Sequence, residues 1–377
     1  MQEDYIDASF VQLDEFGGVE NSMAHDREAR LAPTVLLTGV AGYIGSHAAL
    51  AFLEAGWNVI GVDDLSTGSR SAVPEGVEFI LADCRSDILR ALLAGRDIAA
   101  AAHFAALIRV EESVRRPVEY FEANLCMLGR FLHTVQALGI QSFVFSSTAA
   151  VYGDQGDTAI AETAPAVPTS PYGHSKLAAE WLLSDFCAAS GMRHVTLRYF
   201  NVAGGDARGR AGPRSDATHL IKIVSEAATG QRDAVRINGE DYDTPDGTCV
   251  RDYIHVTDLA EVHVSAVKYL VGGGESVTLN CGYGRGFSVR DVIDRALALC
   301  DRPFRVDVGG RRPGDTVFVV ADNAKLLRTL DWRPRHDDLD VILRSAIAWE
   351  HRLAARRPDG GSGLPLVGLS EEESLLP

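Results

Sequence analysis

The chain has no C-x-x-C pair. Its six cysteines, Cys84, Cys126, Cys187, Cys249, Cys281 and Cys300, lie scattered along 377 residues. That excludes a disulfide framework or a cysteine zinc site as the organising device and fits the reduced thiols of a cytoplasmic protein. Basic runs are missing too. The 36 Lys and Arg face 52 Asp and Glu, for a formal net charge of -16. A nucleic-acid partner needs a basic footprint to displace phosphate counterions, so none is expected. No uninterrupted apolar run approaches the ~18 residues of a membrane span, so no membrane partner is expected either. The N-terminus is acidic rather than basic and then apolar, unlike a secretory signal. His219, His255 and His263 stand in no ligand-like spacing, so no metal site is expected. Neither a G-x-S-x-G nucleophile turn nor a P-loop lysine occurs.

What is present is a steady alternation of element types. Hydrophobic residues make up 46% of the chain, enough to bury a real core. Residues 34–38 are a short β-branched apolar run, hence a buried strand. A glycine turn follows, then an apolar helical stretch over residues 44–54 that Gly56 ends. Further strands are expected over residues 58–63, 77–81, 98–104, 142–146 and 194–199, with helical segments between them. Strand and helix repeated this way predict an α/β fold: a Rossmann-like doubly wound parallel sheet with a smaller C-terminal α/β substrate lobe. The expected division is an acidic, disordered extension over residues 1–33 and a dinucleotide-binding domain over 34–200. Part of 220–275 returns to that domain. Residues 201–219 and 276–350 form the lobe, and 356–377 a flexible tail.

Three separated motifs carry chemistry. Gly39, Gly42 and Gly45 follow the first strand and open the first helix at Tyr43 and Ile44. Glycines let the backbone turn tightly against a pyrophosphate, which the N–H groups and dipole of the helix N-terminus favour. Asp63, followed by Asp64, ends the second strand, where a carboxylate meets the adenosine ribose hydroxyls and repels a 2′-phosphate. NAD is therefore expected over NADP. Asp83 and Cys84 after the third strand, and Phe104, Ala105 and Ala106 after the fourth, lie at the carboxyl edge where such ligands sit. His103 reads as a packed strand residue. The second motif is Ser146-Ser147-Thr148 at the end of the fifth strand. Thr148 can hydrogen-bond a substrate oxygen, with Ser147 as the competitor for that role. The third is Tyr172 with Lys176, four apart and so on one helical face. A free phenol, with a pKa near ~10, is a poor base. A neighbouring ammonium and a positive nicotinamide ring both favour phenolate.

Together these residues resemble the extended short-chain dehydrogenase/reductases, and within them the UDP-hexose 4-epimerase branch. The strings that carry the resemblance are TGVAGYIGSH from Thr38, FSSTAAVYG from Phe145, SPYGHSK from Ser170, LRYFN from Leu197 and GTCVRDYIHV from Gly247. It covers residues 34–350. The resemblance implies tightly held NAD, a UDP-sugar substrate, a 4-keto intermediate and a homodimer built on helices over 120–138 and 175–189. It gives Ser146, Asn124, Tyr199 and Phe200 to the cofactor. Asn201, His219, Leu220, Arg251, Arg312 and Asp315 go to the UDP-sugar, with Arg312 and Asp315 on the diphosphate and uridine ribose. Tyr172 takes the proton of the sugar 4-hydroxyl, Thr148 orients the oxygen and Lys176 tunes the phenol.

Some positions depart from the pattern. Ile108, followed by Arg109, stands where many relatives have a lysine near the cofactor phosphates. Ala149-Ala150 follow Thr148, where sugar dehydratases place an acid pair, which argues against elimination of water. Val319 lies near a position that carries a bulky Tyr in some relatives, leaving room for a 2-acetamido group. The alternatives are a UDP-pentose 4-epimerase, a nucleotide-sugar decarboxylase, or a non-catalytic NAD-binding protein on the same scaffold.

Overall fold

The computed structural model describes residues 32–300, 302–312 and 315–356. The expected acidic extension up to residue 31 and the tail from residue 357 lie outside the described residues. The first half runs β1 (Thr34–Thr38), α1 (Tyr43–Glu54), β2 (Asn58–Asp63), β3 (Val77–Leu81), α2 (Asp87–Leu93) and β4 (Ala100–His103). Then come α3 (Val110–Arg115), α4 (Pro117–Phe121), a π turn (Glu122–Cys126), α5 (Met127–Ala137), β5 (Ser142–Thr148), α6 (Pro171–Ser190) and β6 (Arg193–Tyr199). The second half runs β7 (Asn201–Ala203), α7 (Leu220–Ala228), β8 (Ala234–Asn238), β9 (Val250–His255), α8 (Val256–Val271) and β10 (Val277–Cys281). It ends with β11 (Gly286–Ser288), α9 (Val289–Leu299), β12 (Arg305–Gly309), β13 (Phe318–Val319), α10 (Ala324–Thr329) and α11 (Leu339–Arg356).

Seven strands form one sheet in the order β10-β6-β5-β4-β1-β2-β3. All its pairings are parallel. Strand side chains alternate between faces, and the sheet is buried on both. Val35 and Leu37 enter a core shared with Phe52 of α1 and with Leu259, Val262 and Val267 of α8. Leu36, Phe143 and Phe145 enter the opposite core, with Leu89 of α2, Phe131 of α5 and Leu183 of α6. Each such fully buried side chain contributes about 1.5–3 kcal/mol relative to exposure. The chain leaves central β1 in one direction to β2 and in the other to β4. That reversal opens a crevice at the carboxyl ends of the two strands, where doubly wound sheets bind ligands.

The expected bounds differ at the fourth, fifth and sixth strands: the fifth runs on to Thr148 and the sixth starts at Arg193. The fourth strand is shorter, Ala100–His103, because Phe104 already leaves the ladder after donating its N–H to Thr38. The lobe was expected from residue 276, but β10 pairs in register with β6 as the edge of the main sheet. Its partner is some eighty residues away, a pairing that local pattern does not carry.

The lobe has its own core. Ile221 and Val224 of α7, Val235 and Ile237 of β8, Val292 and Ile293 of α9 and Leu343 of α11 pack together. Its sheet is ordered β11-β9-β13 with β7 also on β9, and β8 pairs separately with β12. Buried Asp252 on β9 pins these pieces. Its carboxylate accepts the N–H groups of Tyr283 and Gly284 at 2.9 Å and of Ala321 at 3.1 Å. Gly282 permits this approach, since a Cβ there would stand 2.5 Å from Oδ2. Replacing Asp252 with Ala strands the buried Ala321 N–H and removes the acceptor of two part-buried donors, which should destabilise the fold by about 1–3 kcal/mol. Denaturant unfolding checks this, with faster amide exchange expected at residues 283, 284 and 321; an unchanged midpoint contradicts it.

Candidate active site

The turn from β1 into α1 is as tight as a polypeptide allows. Gly39 is left-handed, at φ 73°, and a Cβ there would lie 2.6 Å from the backbone nitrogen of Ala105. A Cβ on Gly45 would lie 2.1 Å from the carbonyl oxygen of Gly39. Two bare Cα atoms thus bring α1 down onto the end of β1 and bring β1 against the end of β4. Gly42 is the N-cap, with no side chain capping the helix and no acid in its first turn. The N–H groups around Tyr43 and Ile44 are therefore aimed out with the dipole, which is what a pyrophosphate needs. The Tyr43 hydroxyl reaches across to the lobe and donates to Gly204 O at 2.6 Å.

Asp63 lies at the rim of this crevice. Its two oxygens accept the N–H groups of Ala41 and Leu65, each at 2.9 Å. Burial raises its pKa and these amides pull it back. Each oxygen keeps a lone pair for a ribose hydroxyl. Asp64 points out and accepts from Ser66. Asp83 is held by Arg85 at 2.6 Å, which keeps its carboxyl low. Cys84 is buried in the α2–α6 core, where burial pushes the thiol to about 12. The residues fit a dinucleotide with a free adenosine ribose: a bare cradle, uncapped amides and a carboxylate at the second strand end.

The face expected to be catalytic comes from α6 and β5. Pro171 is at the first helical position, and Ser170 caps the helix by accepting the Gly173 N–H at 3.2 Å. A Cβ on Gly173 would lie 2.7 Å from Ala150 O, so the bare residue lets the helix start against the end of β5. Tyr172 is buried beside Thr148. Burial lifts the phenol to about 12, and the nearby Thr148 side chain works against this. Lys176, 3% exposed, stands 4.7 Å from the centroid of Phe145. Burial lowers its ammonium to about 7, while Glu180 raises it. Burial, not Lys176, is thus the largest influence on the Tyr172 phenol within the protein alone.

Strand alternation separates the two hydroxyl candidates. Ser147 faces α6 with Phe143 and Phe145, and its hydroxyl is bonded to Glu180. Thr148 faces the crevice. Ser146 lies beside Tyr199, whose hydroxyl meets His263 Nε2 at 2.5 Å. His263 Nδ1 is 2.8 Å from Leu259 O, so that nitrogen carries the proton and Tyr199 donates to the other. Phe104 lies against the same imidazole, ring centroids 4.7 Å apart. Phe200 packs with Ala149 and Tyr152 beside the catalytic strand end.

The lobe supplies a cationic rim. Arg312 donates to Asp315 at 2.8 Å and to Glu111 of α3 at 3.2 Å. Arg251 stands 3.8 Å from the same Asp315 and donates to Thr316 O at 2.8 Å. The three polar residues expected on the nucleotide therefore meet. Asn201 starts β7 opposite Tyr253 of β9. His219 stacks on Tyr43, centroids 6.4 Å apart, and caps α7 ahead of Leu220. Its Nε2 is buried without a partner, and burial lowers the ring to about 4.

Other residues do different work from that expected. Asn124 does not present its amide to the crevice. Its oxygen accepts the Leu107 N–H at 2.9 Å, and its nitrogen donates to Leu107 O and Ser175, each at 3.0 Å. These three bonds pin the loop after β4 onto α6, and the amide oxygen keeps one lone pair. Arg109 points at Asp216 of the lobe, 2.7 Å away. His103, by contrast, is the packed strand residue expected, its Nδ1 2.7 Å from the Thr38 hydroxyl inside the sheet. Sequence reasoning missed Glu180, which continues the four-residue spacing of Tyr172 and Lys176. A surface hollow between α2 and the end of α5, lined by Arg90, Arg96 and Leu138, lies at the amino ends of the strands, away from this site.

Residues 35–282 match the model of the NAD dependent epimerase/dehydratase family. The chain is 46% identical over 336 residues to a UDP-glucose 4-epimerase of Azospirillum brasilense, covering 89% of this chain and 96% of that protein. It superposes with TM-score 0.82 and 37% identity on a UDP-glucose 4-epimerase of Stenotrophomonas maltophila with bound NAD and formylated UDP-arabinopyranose. That match covers 86% of this chain and 99% of the other. The UDP-Glc/GlcNAc 4-epimerase of Campylobacter jejuni matches with TM-score 0.75 and 39% identity, over 85% and 100% of the chains.

The glycine cradle yields a direct test. Gly45→Ala forces a methyl into the Gly39 carbonyl, an overlap costing about 1–3 kcal/mol. The variant should retain roughly tenfold less NAD on purification. Gly129→Ala, whose methyl meets only Leu182 at 3.4 Å, should retain all of it. Equal NAD content in the two variants contradicts the cradle.

Proposed function

The chain belongs to the NAD dependent epimerase/dehydratase family, and from that membership we propose that it inverts the C4 hydroxyl of a UDP-hexose, interconverting UDP-glucose and UDP-galactose. The observation that carries this is the buried Tyr172 beside Thr148, with Lys176 one helical turn on, at the carboxyl edge beside the glycine cradle. Ala149 and Ala150 supply no acid and base for eliminating water.

When bound, NAD supplies the oxidant and then the reductant for C4, through a 4-keto sugar, and its positive ring favours phenolate. Gly39, Gly42 and Gly45 with the start of α1 hold its pyrophosphate, and Asp63 its adenosine ribose. Lys176 has no hydrogen-bond acceptor among the described residues, so its ammonium is free for the nicotinamide ribose and for the phenolate. Thr148 orients the sugar O4. Tyr172 takes the O4 proton as C4 is oxidised and returns it after the sugar has turned over. A phenol held near 12 by burial needs that added positive charge, which ties its basicity to a loaded site. Inversion also demands that the sugar swing while the nucleotide stays. Arg251 and Arg312 provide that anchor, since a guanidinium fork matches a diphosphate. Asp315, between them, sets their orientation and faces the uridine ribose.

The partner is a second copy of the chain. Helices α5 and α6, in the two stretches expected to form the dimer, pack against each other and leave Trp181 exposed. A homodimer that covers this side chain removes its apolar area from water. The setting is cytoplasmic. Free cysteines fit it, and no described helix is long and apolar enough to cross a membrane.

Purified protein given UDP-galactose with no added NAD should produce UDP-glucose. Tyr172→Phe should lose about 10²–10⁴-fold in turnover while keeping its NAD; an active Tyr172→Phe protein contradicts the proposed role. Val319, packed near Ala149 and Phe200, leaves room beside the sugar, so UDP-N-acetylgalactosamine should also be turned over. Val319→Tyr should cut that activity about tenfold relative to UDP-galactose. Negligible turnover of the acetylated sugar by the unaltered chain refutes this reading of Val319.

A further inference from the structure

One carboxylate ties α6 to three strands. Glu180 stands four residues after Lys176 and eight after Tyr172, so the three share a helical face. It is 8% exposed. Arg198 of β6 donates Nε to its Oε1 at 3.0 Å and Nη2 to its Oε2 at 2.5 Å. Ser147 of β5, next to Thr148, donates to the same Oε1. Arg198 lies 4.7 Å over the Tyr152 ring, and the Tyr152 hydroxyl donates to Asn280 of β10 at 2.7 Å. The carboxylate is thus fixed directly on β5 and β6 and indirectly on β10.

A buried ion pair is a weak source of stability, because apolar replacements often serve as well. Its place one turn from Lys176, with a clamp on the residue before Thr148, makes geometric sense instead. We propose that Glu180 is a positioning residue for this reaction: held by Arg198 and Ser147, it fixes α6 against β5, and so Tyr172 against Thr148 and Lys176 against the cofactor. This rests on the assignment of Tyr172, Lys176 and Thr148 given above.

Glu180 also acts by charge. The titratable and charged groups around Lys176 are Tyr172 and Glu180 on α6, His103 on β4 and Arg198 and Tyr199 on β6. Tyr120 of α4 lies against Tyr172, with Glu112 of α3 behind it, and β5 presents the Phe145 ring. Of these, Glu180 raises the ammonium.

Two variants separate the tie from the charge. Ser147→Ala removes one hydroxyl and leaves both charges. Its kcat for UDP-galactose should fall about fivefold or more through misplacement, with KM within about twofold, NAD content unchanged and the pH profile unmoved. Glu180→Gln should lose more kcat, and the acid limb of its pH profile should move to lower pH. Loss of a negative charge, with Arg198 left unopposed, makes the Tyr172 and Lys176 pair easier to deprotonate. A wild-type kcat in Ser147→Ala overturns the proposal. So does a Glu180→Gln enzyme with an unmoved acid limb whose loss follows only lost NAD or lost folded protein. Failure of the unaltered chain to epimerise, or an active Tyr172→Phe, instead overturns the assignment of the site, so the two failures are distinguishable.

Discussion

The absence of a side chain at Gly45 is the constraint on which the site depends. With a Cβ 2.1 Å from the Gly39 carbonyl, α1 could not begin at the end of β1. The uncapped N–H groups of its first turn would then not face the crevice between β1 and β4. Everything else is arranged around that crevice. The parallel sheet puts every strand's carboxyl end on one edge, so Asp63, Phe104, Thr148 and Phe200 reach it from β2, β4, β5 and β6. The lobe brings Arg251, Arg312 and Asp315 together, with Arg312 reaching Glu111 of α3.

The catalytic pair depends on a second set of contacts. Burial works against both useful charge states, lifting the Tyr172 phenol to about 12 and lowering the Lys176 ammonium to about 7. A buried phenol with no partner would be a poor base at neutral pH. Thr148 offsets part of that effect on Tyr172, and Glu180 part of it on Lys176. The cation brought by the cofactor completes the balance. Chemistry is thereby confined to the loaded site, and burial makes each charge there count for more than it would in water.

Most of the frame was legible in the sequence because it is local. The bounds of β1, β2 and β3 follow β-branched runs, and Gly39, Gly42 and Gly45 mark their turn without help from distant residues. Tyr172 and Lys176 declare their shared face by spacing alone. What was not legible depends on long-range pairing. The place of β10 at the sheet edge is set by its register with β6, and its own residues could equally serve the lobe. Asn124 read as a cofactor ligand because its neighbourhood matched a motif. It lies in a π turn, where Leu107 and Ser175 take both its N–H groups and one lone pair of its oxygen. Ser147 and Thr148 differ only in strand parity, which the end of β5 decides. Glu180 carried the signal of a third four-residue step, but its meaning needs Arg198 across the sheet.

The account holds that the hydrogen removed from C4 never leaves the pocket before it returns to the opposite face of the same carbon. UDP-galactose carrying deuterium at C4 tests this most directly, with the product examined by mass spectrometry and NMR. The account predicts UDP-glucose that retains the deuterium at C4, with none released to water and none passed to NAD added in excess. Loss of the label to solvent, or its appearance in the added NAD, would contradict it.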